Sequence, residues 1–142
     1  LENLWLSARR TLGHAEAEAV VDEVVSELRL QGLARHRVGE LAHGQRQLVE
    51  IGIVLAAKPR LVLLDEPAAG ITSTEMERLV AIIKRINQAA AVIVVDHDMH
   101  FVRMLEGRIT VFHQGAVLVE GAADTVLSDA RVREVYLGNR AR

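Results

Sequence analysis

An α/β fold with a parallel sheet portion is the architecture this sequence predicts, and three observations predict it. Two short unbroken apolar runs, Leu61-Val62-Leu63-Leu64 and Ala91-Val92-Ile93-Val94-Val95, end in charged residues, Asp65-Glu66 and Asp96-His97-Asp98. Apolar runs bounded by breakers read as buried strands of a parallel sheet. Stretches with apolar residues at helical spacing lie before, between and after them. The order helix, strand, helix, strand, helix is the alternation that builds such a sheet.

Each element has its own signal. Over residues 15–30, Val20, Val21, Val24, Val25 and Leu28 recur at helical spacing with Glu16, Glu18, Asp22, Glu23 and Glu27 between them. This is an apolar stripe with an acidic face, and Gly32 is the expected stop. Gly44 precedes a second predicted helix over 45–57, apolar on much of its surface through Leu48, Val49, Ile51, Ile53 and Leu55, hence expected to be buried. Pro59 ends it. After the first strand, a loop over 68–73 holds two overlapping capping-box patterns, Thr72-x-x-Glu75 and Thr74-x-x-Glu77. Either would start a helix through Met76, Leu79, Val80, Ile83 and Ile86. A short helix over 99–105 follows the second strand. Residues 108–113 and 116–120 read as a hairpin around Gln114-Gly115, and 123–138 as two short helices.

Composition narrows the function. The 142 residues fit one compact domain, and with 50% hydrophobic residues a sizeable core is possible. A formal net charge of -2 with dispersed basic residues argues against a general nucleic-acid or anionic-lipid binder. One Trp, one Tyr and two Phe are too few for a base-stacking platform. The absence of cysteine excludes a disulfide framework and a thiolate metal site, and suits a reducing compartment. No apolar run reaches the roughly 20 residues that span a bilayer. His14, His36, His100 and His113 stand singly and read as ordinary surface or packing residues.

The chemistry is concentrated at the strand ends. In open α/β sheets, ligands bind beyond the carboxyl ends of the strands. Four apolar residues followed by Asp65-Glu66 supply what a phosphate-hydrolysing enzyme needs. The first carboxylate can help hold Mg²⁺, which takes oxygen ligands and keeps several waters. The second can polarise an attacking water. His97, on the other strand end, can hydrogen-bond a terminal phosphate or that water.

The ordered set of motifs resembles the ABC-type ATPases. Leu41-Ala42-His43-Gly44-Gln45 is similar to the ABC signature motif, residues 61–66 to the Walker B strand with its catalytic glutamate, and Ala69-Gly70-Ile71-Thr72 to the D-loop. His97 is similar to the switch histidine. The resemblance covers residues 1–138. Leu-Ala-His-Gly-Gln-Arg-Gln with Glu50-Ile51-Gly52, then Pro67-Ala68-Ala69-Gly70-Ile71, Asp96-His97-Asp98-Met99 with Phe101-Val102, and Val135-Tyr136-Leu137-Gly138 resemble the ATP-binding subunits of branched-chain amino acid and urea importers, with a lean to the urea type.

The resemblance implies a partial P-loop NTPase (ABC ATPase) fold. It consists of a helical subdomain with the signature motif over 1–58 and, over 59–142, the parallel sheet core with a C-terminal β-hairpin and helices. It implies ATP and Mg²⁺ as ligands, with Asp65 on Mg²⁺, Glu66 as general base and His97 on the terminal phosphate. Residues 41–45 would contact ATP held by a second ABC ATPase subunit, and Gly44 would let the backbone approach phosphate. The other implied partners are transmembrane permease subunits and, indirectly, a solute-binding protein outside the membrane; no nucleic acid is implied. The implied location is the cytoplasmic face of the cell membrane.

The sequence also departs from the pattern. A P-loop needs G-x-x-x-x-G-K-[ST], and the two lysines, Lys58 and Lys84, follow Ala57 and Ile83. The chain begins without Met, and Leu1-Glu2-Asn3-Leu4 resembles the segment just after the family's Q-loop. The front of the domain is therefore expected to be missing, with ATP binding by this chain alone weak or nil. The remaining sheet is expected to expose apolar surface. Ala42 replaces the usual serine, and His43 replaces a glycine or aromatic, reading as either a phosphate contact or a solvent-facing side chain. Thr72 replaces an acid or amide, and Asp96 a glutamate. Two other readings stay open: a soluble ABC ATPase without a membrane partner, and a non-enzymatic module pairing with an intact subunit.

Overall fold

The computed structural model describes residues 1–136. The chain forms two compact units, one over Leu1–Val95 and one from Asp96 onward. The helical segment over 1–58 and the first two strands thus share one unit.

In the first unit, helices α1 (Glu2–Ala8), α2 (His14–Glu27) and α3 (His43–Ala56) precede strand β1 (Leu61–Asp65), helix α4 (Ser73–Ile86) and strand β2 (Ala91–Val95). Helix α2 ends earlier than the glycine signal predicts. Arg29, at φ 52°, makes the left-handed reversal, with Arg29 N donating to Ser26 O and Leu30 N to Val25 O. This is a Schellman-type end without its usual glycine. Leu28 and Leu30, 0% and 3% exposed, flank the turn, and burying both dictates where the chain reverses. Gly32 instead falls in a 3₁₀ turn over Gln31–Leu33. Arg78 of α4 donates to Leu28 O at 2.7 Å, satisfying a carbonyl at the end of α2.

Helix α3 starts at His43, so Gly44 lies inside its first turn rather than before it. Nor is α3 buried all round. Leu48, Val49, Ile51, Gly52 and Ala56 face the core, while Val54 is exposed. A Cβ on Gly52 would lie 3.2 Å from Leu28 Cδ1, so α2 and α3 approach closely there. Ser7 of α1 ties the third helix in by donating to Ile53 O at 2.6 Å.

Strands β1 and β2 pair in parallel, Leu61 opposite Ala91 through Asp65 opposite Val95. Apolar runs by themselves suit two covered faces, but here one face is open, and the sheet exposes apolar surface as expected. Val62 is 1% exposed, whereas Leu63 and Val95 are 67% and 60% exposed. Helix α4 buries Met76, Leu79, Val80, Ile82, Ile83 and Ile86. Of the two capping patterns, the structure uses Thr72 with Glu75.

The second unit contains α5 (Met99–Leu105), β3 (Arg108–His113), β4 (Ala116–Ala122), α6 (Ala123–Ser128) and α7 (Ala130–Tyr136). Strands β3 and β4 form the expected antiparallel hairpin. Gln114 and Gly115 both have positive φ, 49° and 78°, as a two-residue type I′ turn requires. Val111, Val126 and Val132 form a buried cluster, and Arg108 pairs with Glu120 across the strands at 2.7 Å. Of the predicted terminal stretch 123–138, Leu137 and Gly138 lie outside the described residues.

The choice between the two capping boxes is directly testable. Thr72→Ala is expected to lower stability by about 1 kcal/mol in a urea melt, whereas Thr74→Ala should change it by less than about 0.5 kcal/mol. Equal losses would contradict the assignment.

Candidate functional site

The predicted site residues of the first unit converge on one place, where the first turn of α3 meets the loop between β1 and α4. At the end of β1, Asp65 is exposed and pairs with Val95. Glu66 then turns left-handed, at φ 45°, while its N–H donates to Val95 O at 2.7 Å. A left-handed conformation is uncommon for a residue with a side chain. Pro67 and Ala68 are buried, and Ala69 N donates back to Glu66 O at 3.1 Å. Gly70, at φ 71°, supplies the next reversal at no steric cost. Ile71 is half-buried and Thr72 caps α4.

Leu41 is buried, and Ala42, His43 and Gln45 are exposed. Ala42 sits at the cap of α3 in extended conformation without a side-chain acceptor. Only the returning half of a capping box is made, with Ala42 N donating to Gln45 Oε1 at 3.1 Å. His43 neither points only to solvent nor needs a phosphate for a partner: its Nε2 lies 2.9 Å from Ala69 O. A carbonyl only accepts, so Nε2 carries the proton in this contact. One turn on, Gln47 Nε2 donates to Pro67 O. Gln47 Oε1 is buried with no hydrogen-bond partner.

Gly44 faces inward. A Cβ there would fall 2.4 Å from Glu75 Oε1 and 2.9 Å from its carboxyl carbon. Glu75 in turn is held by Thr72, whose N–H and hydroxyl each donate to Oε2 at 2.8 Å. Those two bonds, the backbone one first, hold the Glu75 carboxyl below its ordinary range, and the charge of His43 adds a smaller pull in the same direction. Sequence patterns name Glu75 only as a helix cap and Gln47 only as the last residue of the 41–47 motif. No periodicity or motif shows that either meets another segment of the chain.

His97 belongs to the second unit, where it is exposed. Beside it, Asp98 N donates to Asp96 Oδ1 at 2.9 Å, and Asp98 Oδ1 accepts from His100 N and Phe101 N, capping α5. Among the described residues no group of three or more His, Cys, Asp or Glu is placed to hold a metal by itself. No described helix is long and apolar enough to cross a membrane.

The lowered pKa of Glu75 sets a direction with pH. Its carboxylate bonds to Thr72 are present above the ordinary carboxylate value and are lost as pH falls through the lower folded value. A ¹³C titration of the Glu75 carboxyl carbon should have its midpoint below the ordinary value of 4.5. A midpoint at or above 4.5 would contradict the geometry.

A family model described as ABC transporter matches residues 1–69. The chain is 34% identical over 116 residues to the high-affinity branched-chain amino acid transport ATP-binding protein BraF of Pseudomonas aeruginosa, covering 80% of this chain and 46% of that protein. It is 33% identical over 132 residues to the lipopolysaccharide export system ATP-binding protein LptB of Acidithiobacillus ferridurans, covering 91% and 54%. To the cobalt import ATP-binding protein CbiO of Rhodobacter capsulatus it is 36% identical over 119 residues, covering 83% and 42%. The chain thus spans about half the length of the curated relatives it matches, and their names give three different solutes. A solved structure of the ADP conformation of an ATP-binding cassette of an ABC transporter superposes with a TM-score of 0.77 at 27% identity, covering 87% of this chain and 50% of that one. By family match, by sequence and by fold, the chain carries part of an ABC transporter ATP-binding domain.

Proposed function

We propose that this chain is part of the ATP-binding and hydrolysing motor subunit of an ABC importer, of the type that serves branched-chain amino acids or urea. The observation that carries the reading is the meeting of residues 41–45 with the loop from Pro67 to Glu75. It joins the segment read as a nucleotide-sensing turn to the loop leaving Asp65 and Glu66. The similarity to the branched-chain amino acid relative, together with the motif details of residues 41–52 and 67–71, supports the importer type.

The residues present fit an Mg-nucleotide. Helix α3 starts without a side-chain cap at Ala42, which leaves its N-terminal N–H groups and dipole available to an anion. The exposed carboxylate of Asp65 suits Mg²⁺, which binds through one or two carboxylates and water rather than an all-protein cage. Bound Mg-ATP supplies the phosphoryl group and the charge that activates it. Asp65 would hold the metal through water, Glu66 would take the proton of the attacking water, and His97 would hydrogen-bond the terminal phosphate. Leu41, Ala42, His43, Gly44 and Gln45 would meet nucleotide held by a second ABC ATPase subunit. Ala69, Gly70, Ile71 and Thr72 would face that subunit and signal across the pair. The motor would act on permease subunits at the cytoplasmic face of the membrane, with a solute-binding protein engaged indirectly.

Neither Lys58 nor Lys84 stands in a phosphate-gripping loop pattern. In a second reading, this chain pairs with an intact subunit and donates residues 41–45 to nucleotide held by that partner.

Glu66→Gln in the complete subunit tests the first reading. It should lower steady-state ATP hydrolysis about 100-fold or more, with ATP retained in a closed dimer. Undiminished turnover would rule Glu66 out as general base.

A further inference from the structure

We propose that Glu75 is a positioning residue. Its carboxylate, fixed by Thr72, is the stop against which the first turn of α3 packs at Gly44, so that this turn and the loop from Pro67 to Thr72 are held as one body. The functional meaning of that body rests on the reading of residues 41–45 as a nucleotide-sensing turn.

The geometry leaves no room for a side chain at position 44. The atom a Cβ would strike, Glu75 Oε1 at 2.4 Å, is the tip of a side chain that could ordinarily swing away. Here it is restrained, because the partner oxygen Oε2 takes both the N–H and the hydroxyl of Thr72. Thr72 Oγ1 also accepts from Glu75 N at 3.3 Å, closing the box from both sides. Moving the carboxylate to admit a methyl group would therefore break both of its bonds from Thr72, the returning half of the box.

Two further contacts span the same gap, from His43 Nε2 to Ala69 O and from Gln47 Nε2 to Pro67 O. Residues 43, 44 and 47 lie on one face of α3 at helical spacing, and each meets the chain between Pro67 and Glu75. A glycine at position 44 is thus required by the protein's own packing, apart from any approach to phosphate. Charge is secondary in this account. A neutral glutamine at 75 would keep the bulk beside Gly44 and an oxygen acceptor for Thr72.

The test is a double-mutant cycle on the 142-residue chain without nucleotide. Gly44 has no left-handed backbone conformation, so replacing it by alanine within a helix would ordinarily stabilise the chain. Here Gly44→Ala should lower the thermal midpoint, by roughly 4 °C, or prevent folding. In the Glu75→Ala background the same change should raise the midpoint or restore folding. In Glu75→Gln it should remain unfavourable. Amide ¹H–¹⁵N resonances add a readout that a mere α4 cap would not move. The signals of Gly44 and Gln45 should shift in Glu75→Ala and stay near wild type in Glu75→Gln. Equal effects of Gly44→Ala with and without Glu75, or α3 signals indifferent to Glu75, would overturn the proposal. Because no nucleotide enters these measurements, their failure would leave the ATPase reading standing, and failure of the Glu66→Gln test would leave this contact intact.

Discussion

The first turn of α3 lies against the loop that leaves β1, and the position of nearly every candidate residue of the first unit follows from that contact. The loop reverses twice in left-handed conformations, at Glu66 and Gly70. Between these reversals, its carbonyls at Pro67 and Ala69 are taken by Gln47 and His43. A loop otherwise presents unpaired backbone groups that only water can satisfy. Here α3 supplies side-chain donors, so the loop has a fixed path from the strand carboxylates to the cap of α4. Fixed loops on a rigid scaffold are where binding and catalytic residues are commonly placed.

The same contact reassigns the role of Gly44. A glycine at a helix N-terminus invites the explanation that an anion approaches the bare backbone. Its open side is instead occupied by Glu75. The two explanations are compatible only if the anion approaches from a different direction, through N–H groups at the uncapped start of α3. His43 follows the same logic. Standing where the family pattern has a glycine or aromatic, it bonds to Ala69 O and so takes part in holding the loop.

Much of the fold is legible in the sequence. Strands β1 and β2 follow from apolar runs closed by charged residues, α4 from its apolar spacing and a Thr-x-x-Glu box, and the hairpin from Gln114-Gly115. What escapes has physical reasons. The reversal after α2 falls on Arg29 because buried leucines on either side fix its position, and a glycine rule cannot weigh that. An apolar run does not show how many faces of its strand are covered; the exposure of Leu63 and Val95 agrees instead with the apolar sheet surface expected from the motif pattern. At the site, the motif residues themselves are legible, because spacing and residue type define them. The contact of Gln47 and the second role of Glu75 are not. They depend on two segments twenty or more residues apart coming together, and only the folded chain expresses that. With three relatives of similar identity naming three solutes, solute choice is not legible in this chain either.

The joining of α3 to the loop is most directly tested by a nuclear Overhauser measurement on the folded 142-residue chain. His43 Cδ2 lies 3.5 Å from the position a Cβ would take on Gly70. The ring Hδ2 of His43 should therefore show a cross-peak to the Hα protons of Gly70. Absence of that cross-peak in a chain whose β1–β2 amides are protected would contradict the account, because the loop would then take its path without α3.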